Sequence, residues 1–282
     1  STIIRELAMH HLFNDRPVGM IMLEESPSET VDDIVSLLVN KPVRRTFAFK
    51  ALNQLRENTG KAPLHADFDA TLSEDEYRSA RTTVDSLPLY IYDHMGSSGY
   101  DNLLARIEYM AVGLGCKVVI LDHITAAVAG MLSDSEDGGS ERLIIDDMMK
   151  KLRSIVERTG VHLDVISQLR KPSTGKGYEE GARITVQDLR GSGSLSSVPN
   201  TVIALERDRQ HTDKMTANTT VVRVLKNRFT GQSGIATALN YNYETGRLVE
   251  VPFAINEDGE ILFDPSATPS KLDPTKVFEA LA

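Results

Sequence analysis

The sequence is poor in cysteine and lacks any long apolar run. Cys116 is the only cysteine among 282 residues, which excludes an internal disulfide framework and is typical of a reducing compartment. No apolar stretch approaches the roughly 18 residues of a membrane span, and no segment resembles a signal peptide. We therefore expect a globular protein of the cytoplasm that does not cross a membrane.

An excess of basic residues is also absent. The chain carries 40 acidic and 31 basic residues, for a formal net charge of −9, which argues against a surface coated for nucleic acid. A small basic patch within an acidic body remains compatible with this charge, because affinity for nucleic acid comes from local contacts with phosphates. The hydrophobic content of 41% is that of an ordinary globular protein with a sizeable core.

Apolar runs alternate with amphipathic segments along most of the chain. Helical spacing marks the segments 1–13, 100–115 and 140–160, whereas 41–87 is mostly helical without a sharp motif. Short apolar runs predict strands at 18–26, 87–93, 117–124, 161–169 and 200–207. This alternation predicts an α/β fold in which helices cover both faces of a mostly parallel sheet.

The pattern changes toward the carboxyl end. From residue 219 polar and apolar residues alternate between glycine-rich turns, which predicts an antiparallel meander. The segment from 252 contains four prolines and is rich in acids, which is typical of a flexible tail. We therefore predict one domain over residues 1–250 and a tail over 251–282.

Polar residues stand where the predicted parallel strands end. Within these runs, the strand at 18–23 leaves Glu24 and Glu25, the strand at 118–121 leaves Asp122 and His123, and the strand at 163–167 leaves Gln168. Each alone is more often an ordinary strand-end residue. Ligands of open α/β sheets bind at the carboxyl ends of strands, and two acids with an amide suit a nucleoside triphosphatase. One carboxylate would hold magnesium, another would activate water, and the amide would contact the γ-phosphate.

Such a site needs a glycine-rich loop that ends in Lys and then Ser or Thr. The chain has no G-x-x-x-x-G-K, but Ser1 and Thr2 stand directly before an amphipathic helix. We expect the sequence to begin inside such a loop, after its lysine, so that the first strand and most of the loop are missing. Without that lysine, we expect little or no ATP hydrolysis from residues 1–282 alone.

Seven motifs in order, over about residues 1–250, carry a family resemblance. They are MLEES (22–26), VVILDHI (118–124), VISQLRKP (165–172), DLRGSGSL (188–195), VIALER (202–207), LKNRFTGQSG (225–234) and YNYETGRL (241–248). The sequence resembles the hexameric replicative DNA helicases of the DnaB-like family. Within that family it is most similar to the helicase domain of phage primase–helicases, whose mitochondrial relative is Twinkle.

The resemblance implies a RecA-like P-loop fold and a role for each strand-end residue. Ser1, followed by Thr2, would supply the hydroxyl of the P-loop that binds magnesium, together with Asp122. Glu24 would be the general base that activates the attacking water. Gln168 would contact the γ-phosphate, at a position where close phage relatives have His and bacterial ones Gln.

The resemblance also implies contacts across a subunit boundary. Arg228 would be an arginine finger that reaches the neighbouring subunit's nucleotide, with Lys226 beside it. A guanidinium delivered in this way stabilises charge on the transferring phosphoryl group. The alternative is an arginine in an exposed hairpin. Arg207 and Tyr241 would flank the base of the nucleotide.

The candidates for DNA contact are the loops that follow the strands ending at 122 and 168. In the family these loops line the central pore of the ring and hold single-stranded DNA. Acids at 179, 180 and 188 are interspersed in the second loop, so a solvated mobile loop is the alternative, and Thr174 stands where a third basic residue is usual. The candidate residues in the second loop are Arg170, Lys171, Lys176, Arg190 and Gly191.

Taken together, the resemblance implies an ATP-driven 5′ to 3′ DNA helicase that acts in replication. It would use Mg²⁺ with ATP, dTTP or another nucleoside triphosphate, and would assemble as a homohexamer or heptamer on single-stranded DNA. Its place would be a phage-infected host cytoplasm or a bacterial or organellar replisome. A recombinase-like ATPase and a non-catalytic ring scaffold are the alternatives. In phage relatives the tail contacts a DNA polymerase; here the tail is acidic and ends in VFEALA.

Overall fold

A computed structural model describes residues 2–66, 68–93, 100–134, 141–172, 175–191, 193–257 and 261–263. Its first sheet contains four parallel strands in the order β2-β1-β3-β4. The strands are β1 (Val18–Met22), β2 (Leu89–Ile91), β3 (Val118–Asp122) and β4 (His162–Val165). The predicted parallel sheet is therefore confirmed for the first four of the five predicted strands.

The register of this sheet brings three strand ends to one level. Met22 of β1 lies opposite Asp122 of β3, and Leu121 of β3 lies opposite Val165 of β4. Backbone hydrogen bonds continue past the strands, from Leu23 N to the Asp122 carbonyl at 2.7 Å. We call this side, where β1, β3 and β4 end, the carboxyl edge of the parallel sheet.

Helices cover both faces of the parallel sheet, as predicted. On one face Met20 and Ile120 pack with α1, α2 and α4; on the other Ile21 and Val119 pack with α5, α6 and α7. Side chains that alternate along β1 and β3 thus pack into two separate hydrophobic cores, one on each face of the sheet. The helices are α1 (Thr2–Phe13), α2 (Pro27–Val39), α3 (Val43–Asn58), α4 (Glu74–Ser86), α5 (Tyr100–Val112), α6 (Ile124–Asp134) and α7 (Glu141–Thr159).

The start of α2 fixes the chain just after the end of β1. Ser26 and Glu29 form a capping box, in which Glu29 N donates to Ser26 Oγ at 3.3 Å and Ser26 N donates to Glu29 Oε2 at 3.0 Å. Pro27 occupies the first helical position, where its missing N–H costs nothing. Glu24 and Glu25, which follow Leu23 in the three-residue link between β1 and the cap, are therefore held at the carboxyl edge.

The second sheet has four antiparallel strands in the order β5-β6-β7-β8. They are β5 (Thr201–Glu206), β6 (Thr219–Asn227), β7 (Gly234–Tyr241) and β8 (Leu248–Glu250), with short helices α8 (Ser194–Ser197) and α9 (Lys214–Asn218) before β5 and β6. The predicted meander is confirmed, but the assignment of the 200–207 strand to the parallel sheet was wrong. Ile203 and Leu205 are 42% and 40% exposed, so β5 is covered on one face only.

Two further segments differ from the sequence prediction. The chain directly after His123, predicted to be a loop, forms α6. Part of the predicted flexible tail forms two paired antiparallel strands, β9 (Phe253–Ile255) and β10 (Ile261–Phe263), whereas residues 264–282 lie outside the described ranges. Among the helices in those ranges, none has both the length and the apolar character needed to cross a membrane.

Candidate active site

Three polar side chains meet at the carboxyl edge, one from the end of each strand. Nε2 of His123 lies 3.0 Å from Oε1 of Glu24 and 3.0 Å from Nε2 of Gln168. Because β3 lies between β1 and β4, the histidine stands between the carboxylate and the amide. These distances bring Glu24 and Gln168 together at one edge, while their roles stay predictions.

His123 is the member of this group to which the sequence prediction gave no role. It is 6% exposed, and its other ring nitrogen is already engaged: Ala126 N donates to Nδ1 at 3.0 Å, and Thr125 Oγ1 lies 2.6 Å from Nδ1. An amide N–H can only donate, so Nδ1 is an acceptor and the ring proton is on Nε2. The signal in the sequence was a histidine next to the acid of the central strand.

The two acids at the end of β1 have different surroundings. The Glu24 side chain is 66% exposed, open to water and to a substrate. Glu25 is bound to Arg5 of α1, which also lies 2.8 Å from Asp33 of α2. Burial raises the pKa of Asp33, and the charge of Arg5 opposes that rise. Arg5 therefore ties α1 to α2 and to Glu25, and Glu24 is the more exposed of the two acids.

The residues at the carboxyl edge fit a magnesium ion that arrives with a nucleotide. Asp122 ends β3, partly buried, opposite Met22; Thr2 begins α1, and Ser1 lies outside the described residues. Within those residues, no three His, Cys, Asp or Glu side chains could hold a metal ion by themselves. Nucleotide-bound Mg²⁺ needs no such set, because it takes one or two carboxylates and completes its shell with waters and phosphate oxygens.

Arg207 and Tyr241 lie at the same end of the antiparallel sheet. Arg207 donates from Nε to the Ala217 carbonyl at 2.7 Å and from Nη2 to Asn218 Oδ1 at 3.0 Å. Tyr243 also reaches Asn218 Oδ1, at 3.1 Å, and its ring is 5.0 Å from that of Tyr241, edge to face. Sequence reasoning missed Tyr243 and Asn218, which connect the two predicted residues.

The turn between β6 and β7 carries Arg228. Its Nη2 donates to the Ser197 carbonyl at 2.7 Å, a contact within the chain, and the next residue, Phe229, is 74% exposed. Lys226 donates to the carbonyls of Ser196, Ser197 and Pro199 at 2.7, 2.9 and 2.8 Å. Burial, followed by the charge of Arg228, lowers the pKa of Lys226. Lys226 thus fixes the end of α8, in addition to its place beside Arg228.

The predicted DNA loop closes next to Gln168. Arg190 N donates to the Gln168 carbonyl at 3.0 Å, and Arg170 N donates to the Asp188 carbonyl at 2.9 Å. Two of the three acids in this loop have local partners: Glu180 accepts from Gly177 N at 2.9 Å and Asp188 from Thr185 N at 2.8 Å. These two acids therefore stabilise turns within the loop.

The basic residues of this loop differ in their partners. Arg170 and Lys171 are exposed, whereas Lys176 lies 3.8 Å from Asp208 and Arg190 lies 3.3 Å from Glu141. Thr174 lies outside the described residues.

Gly191 is constrained both by its backbone conformation and by the space around it. Its φ of +108° favours glycine, and a Cβ there would clash with Cδ1 of Ile145. In the described chain, the backbone at Gly191 therefore lies close against Ile145 of α7.

Comparison with known proteins adds a family to this geometry. Residues 51–250 match the family described as the DnaB-like helicase C-terminal domain. A DNA helicase/primase of Enterobacteria phage T3 is 38% identical over 231 residues, which are 82% of this chain and 36% of that protein. The chain therefore spans about a third of the length of that relative.

Two solved structures share the fold at 18% identity. One, an ATPase domain, superposes with a TM-score of 0.62 over 89% of this chain and 80% of that one. The other, a DnaB-like replicative helicase studied for its interactions with primase, superposes with a TM-score of 0.60 over 88% of this chain and 55% of that one. These likenesses confirm the predicted RecA-like fold.

Proposed function

The chain belongs to the family of DnaB-like helicase C-terminal domains, and on that basis we propose that it is the motor domain of a replicative DNA helicase. The proposed activity is hydrolysis of ATP, dTTP or another nucleoside triphosphate, coupled to 5′ to 3′ movement on single-stranded DNA and to duplex unwinding in replication. The observation that carries the proposal is the meeting of Glu24, His123 and Gln168 at one sheet edge, beside the closing point of the predicted DNA loop.

Each side chain at the edge has a chemical task in this proposal. Glu24 accepts the proton of the attacking water, for which its exposure is suited. Gln168 donates a hydrogen bond to the γ-phosphate. Asp122 and the hydroxyl of Ser1, with Thr2 next to it, would hold hydrated Mg²⁺, which neutralises charge on the phosphates when bound.

A ring supplies the rest of the proposed site. In a homohexamer or heptamer, Arg228 leaves the Ser197 carbonyl of its own chain and reaches the nucleotide of the neighbouring subunit. The exposure of Phe229 supports this, because it leaves the same turn open to a second subunit. Lys226 holds the segment from which Arg228 departs. Arg207 and Tyr241 flank the base.

The DNA contact is proposed for the loop that follows Gln168. Arg170, Lys171, Lys176 and Arg190 bind phosphates of single-stranded DNA in the pore, with Gly191 shaping the loop. Six or seven copies would set several cations around one strand while the outer surface stays acidic, which reconciles the proposal with the net charge of −9. The proposal also includes a cytoplasmic or organellar replisome as its place of action.

The experiment is a strand-displacement assay on the complete gene product. A labelled fork with a 5′ single-stranded tail is compared with one that has a 3′ tail, with ATP, dTTP or a non-hydrolysable analogue. We expect DNA-stimulated hydrolysis and unwinding of the 5′-tailed fork only. Hydrolysis without unwinding would favour a recombinase-like ATPase, and the absence of both activities would favour a ring scaffold.

A separate experiment tests the tail as the contact for a DNA polymerase, by removing residues 264–282 from the complete gene product.

A further inference from the structure

We propose that His123 is a positioning residue that couples the proposed base, Glu24, to the proposed phosphate contact, Gln168. The inference rests on the proposed function and adds a residue to it. His123 offers a single N–H to two possible acceptors, one on each side. Which acceptor receives it would depend on whether Gln168 is bound to a γ-phosphate.

The number of protons on the ring follows from its contacts. Ala126 N donates to Nδ1 at 3.0 Å, so Nδ1 carries no hydrogen and the ring has one N–H, on Nε2. That N–H faces Oε1 of Glu24 at 3.0 Å and can donate to it. The Glu24 carboxylate is thereby held in place, with one of its oxygens occupied.

The amide of Gln168 is the second neighbour of the same nitrogen. Its Nε2 lies 3.0 Å from Nε2 of His123, and two N–H donors that face each other cannot form a hydrogen bond. Rotation of the Gln168 amide group by 180° places its oxygen, instead of its nitrogen, next to Nε2 of His123. When the Gln168 NH₂ group donates to a γ-phosphate, its oxygen is free to accept from His123.

The two arrangements differ in the state of Glu24. Without a γ-phosphate, His123 donates to Glu24 and restrains it. With a γ-phosphate on Gln168, His123 donates to the amide oxygen, and Glu24 is released to accept the proton of water. Hydrolysis would then begin only when the correct nucleotide is in place.

His123 is a buried ring between two exposed side chains. His123 is 6% exposed and follows the central strand, where Ile124 N donates to the Ile166 carbonyl at 3.0 Å. Its neighbours Glu24 and Gln168 are both exposed. A buried ring that merely satisfied its own hydrogen bonds would not require both of these groups at its outer nitrogen.

The kinetic test compares His123→Leu, which has no donor, with His123→Gln, whose amide can place a donor near the position of Nε2. For His123→Leu we expect kcat to fall by about 10-fold or more with KM changed by less than about threefold, because the Gln168 amide loses the donor that holds its oxygen and orients its NH₂ group toward the γ-phosphate after substrate binds. His123→Gln should recover much of the loss. The control is His162→Leu, since Nε2 of His162 lies 3.1 Å from Asp164 Oδ1 at the opposite end of β4.

The spectroscopic test uses histidine labelled with ¹⁵N in the complete gene product. We expect His123 to carry its proton on Nε2, and expect that proton signal to move with a non-hydrolysable ATP analogue but not with ADP. A proton on Nδ1, equal responses to both nucleotides, or wild-type kcat in a folded His123→Leu variant would overturn the coupling. If His123→Leu alters kcat but no DNA is unwound, the proposed helicase fails while the coupling stands.

Discussion

Nε2 of the buried His123 lies 3.0 Å from Oε1 of the exposed Glu24, so a side-chain contact joins the ends of two neighbouring parallel strands. This contact exists because β1 and β3 are in register, with Met22 opposite Asp122. The sheet, rather than a flexible loop, therefore sets the distance between the proposed base and its partner.

Replacement of Arg228 by Ala should remove hydrolysis without unfolding the chain. In the isolated chain the side chain donates to one exposed carbonyl, that of Ser197, so we expect the free energy of unfolding to change by less than about 0.5 kcal/mol. In the assembled ring we expect kcat to fall on the order of 1,000-fold. Arg228→Lys should not restore it, since an ammonium lacks the planar fork. Wild-type turnover by Arg228→Ala rings would contradict the finger.

Replacement of Lys226 by Met, unlike that of Arg228 by Ala, should lower the free energy of unfolding. Three carbonyls lose their common donor, and we expect a loss of about 1–3 kcal/mol in the free energy of unfolding. Urea titration of the chain measures this, with Lys214→Met as the exposed control. An unchanged unfolding midpoint together with lost hydrolysis would instead make Lys226 a direct contact of the nucleotide.

DNA binding should lose part of its salt dependence when Arg170 is replaced by Ala. Each phosphate contact on a single strand contributes about 0.7 to the slope of log affinity against log salt concentration, so we expect a decrease of that size. Arg16→Ala is the matched control, because this exposed arginine precedes β1 at the opposite end of the sheet. Equal slopes for Arg170→Ala and the parent protein would remove Arg170 from the DNA surface.

Stability should fall as the pH drops, in part through His11 of α1. Burial, followed by the charge of His10, lowers the pKa of His11 from 6.5 to about 4. The unfolded chain takes up this proton below about 6.5 and the folded chain only near 4, so the contribution is present above 6.5 and is lost as the pH falls to 4. His11→Gln should flatten the dependence of the unfolding free energy on pH in that window.

A second histidine, His162, has a pKa that is raised in the folded chain, and its effect on the free energy of unfolding is therefore opposite in sign. The hydrogen bond with Asp164 raises the pKa of His162, so its contribution is present below 6.5 and is lost as the pH rises. His162→Gln should therefore lower the free energy of unfolding below pH 6.5 by a constant amount, and change its slope only above that pH. Urea titrations from pH 4 to above 6.5 measure both variants, and identical profiles for His11→Gln and the parent chain would contradict the assignment of His11.

The parallel sheet and its polar strand ends could be predicted because buried strands leave a strong apolar signal and parallel strands end at one edge. The sheet to which β5 belongs could not. Ile203 and Leu205 are apolar yet exposed. The composition of β5 is therefore that of a strand buried on both faces, although β5 is an edge strand of the antiparallel sheet. The helix α6 was missed for a related reason, since its nearly continuous apolar residues hide the helical period.

The partners of individual side chains were the least predictable feature of the site. A histidine after an acid gives no sign of which neighbours it will meet, and the role of His123 depends on the order of β1, β3 and β4. The same holds for Lys226, whose three carbonyl partners come from a segment about 30 residues earlier in the chain. Such contacts depend on which distant segments pack together, and local sequence patterns do not specify this.

The most direct test of the proposed active site is nucleotide hydrolysis by a Glu24→Gln variant of the complete gene product, in the presence of single-stranded DNA. The amide keeps the shape of the side chain but cannot accept the proton of water, so we predict a loss of kcat on the order of 100-fold or more with nucleotide binding retained. Glu74→Gln, an exposed glutamate 3.3 Å from Arg78, is the control and should behave as the parent. Full hydrolysis by Glu24→Gln would contradict the assignment of the base and, with it, the site at the carboxyl edge.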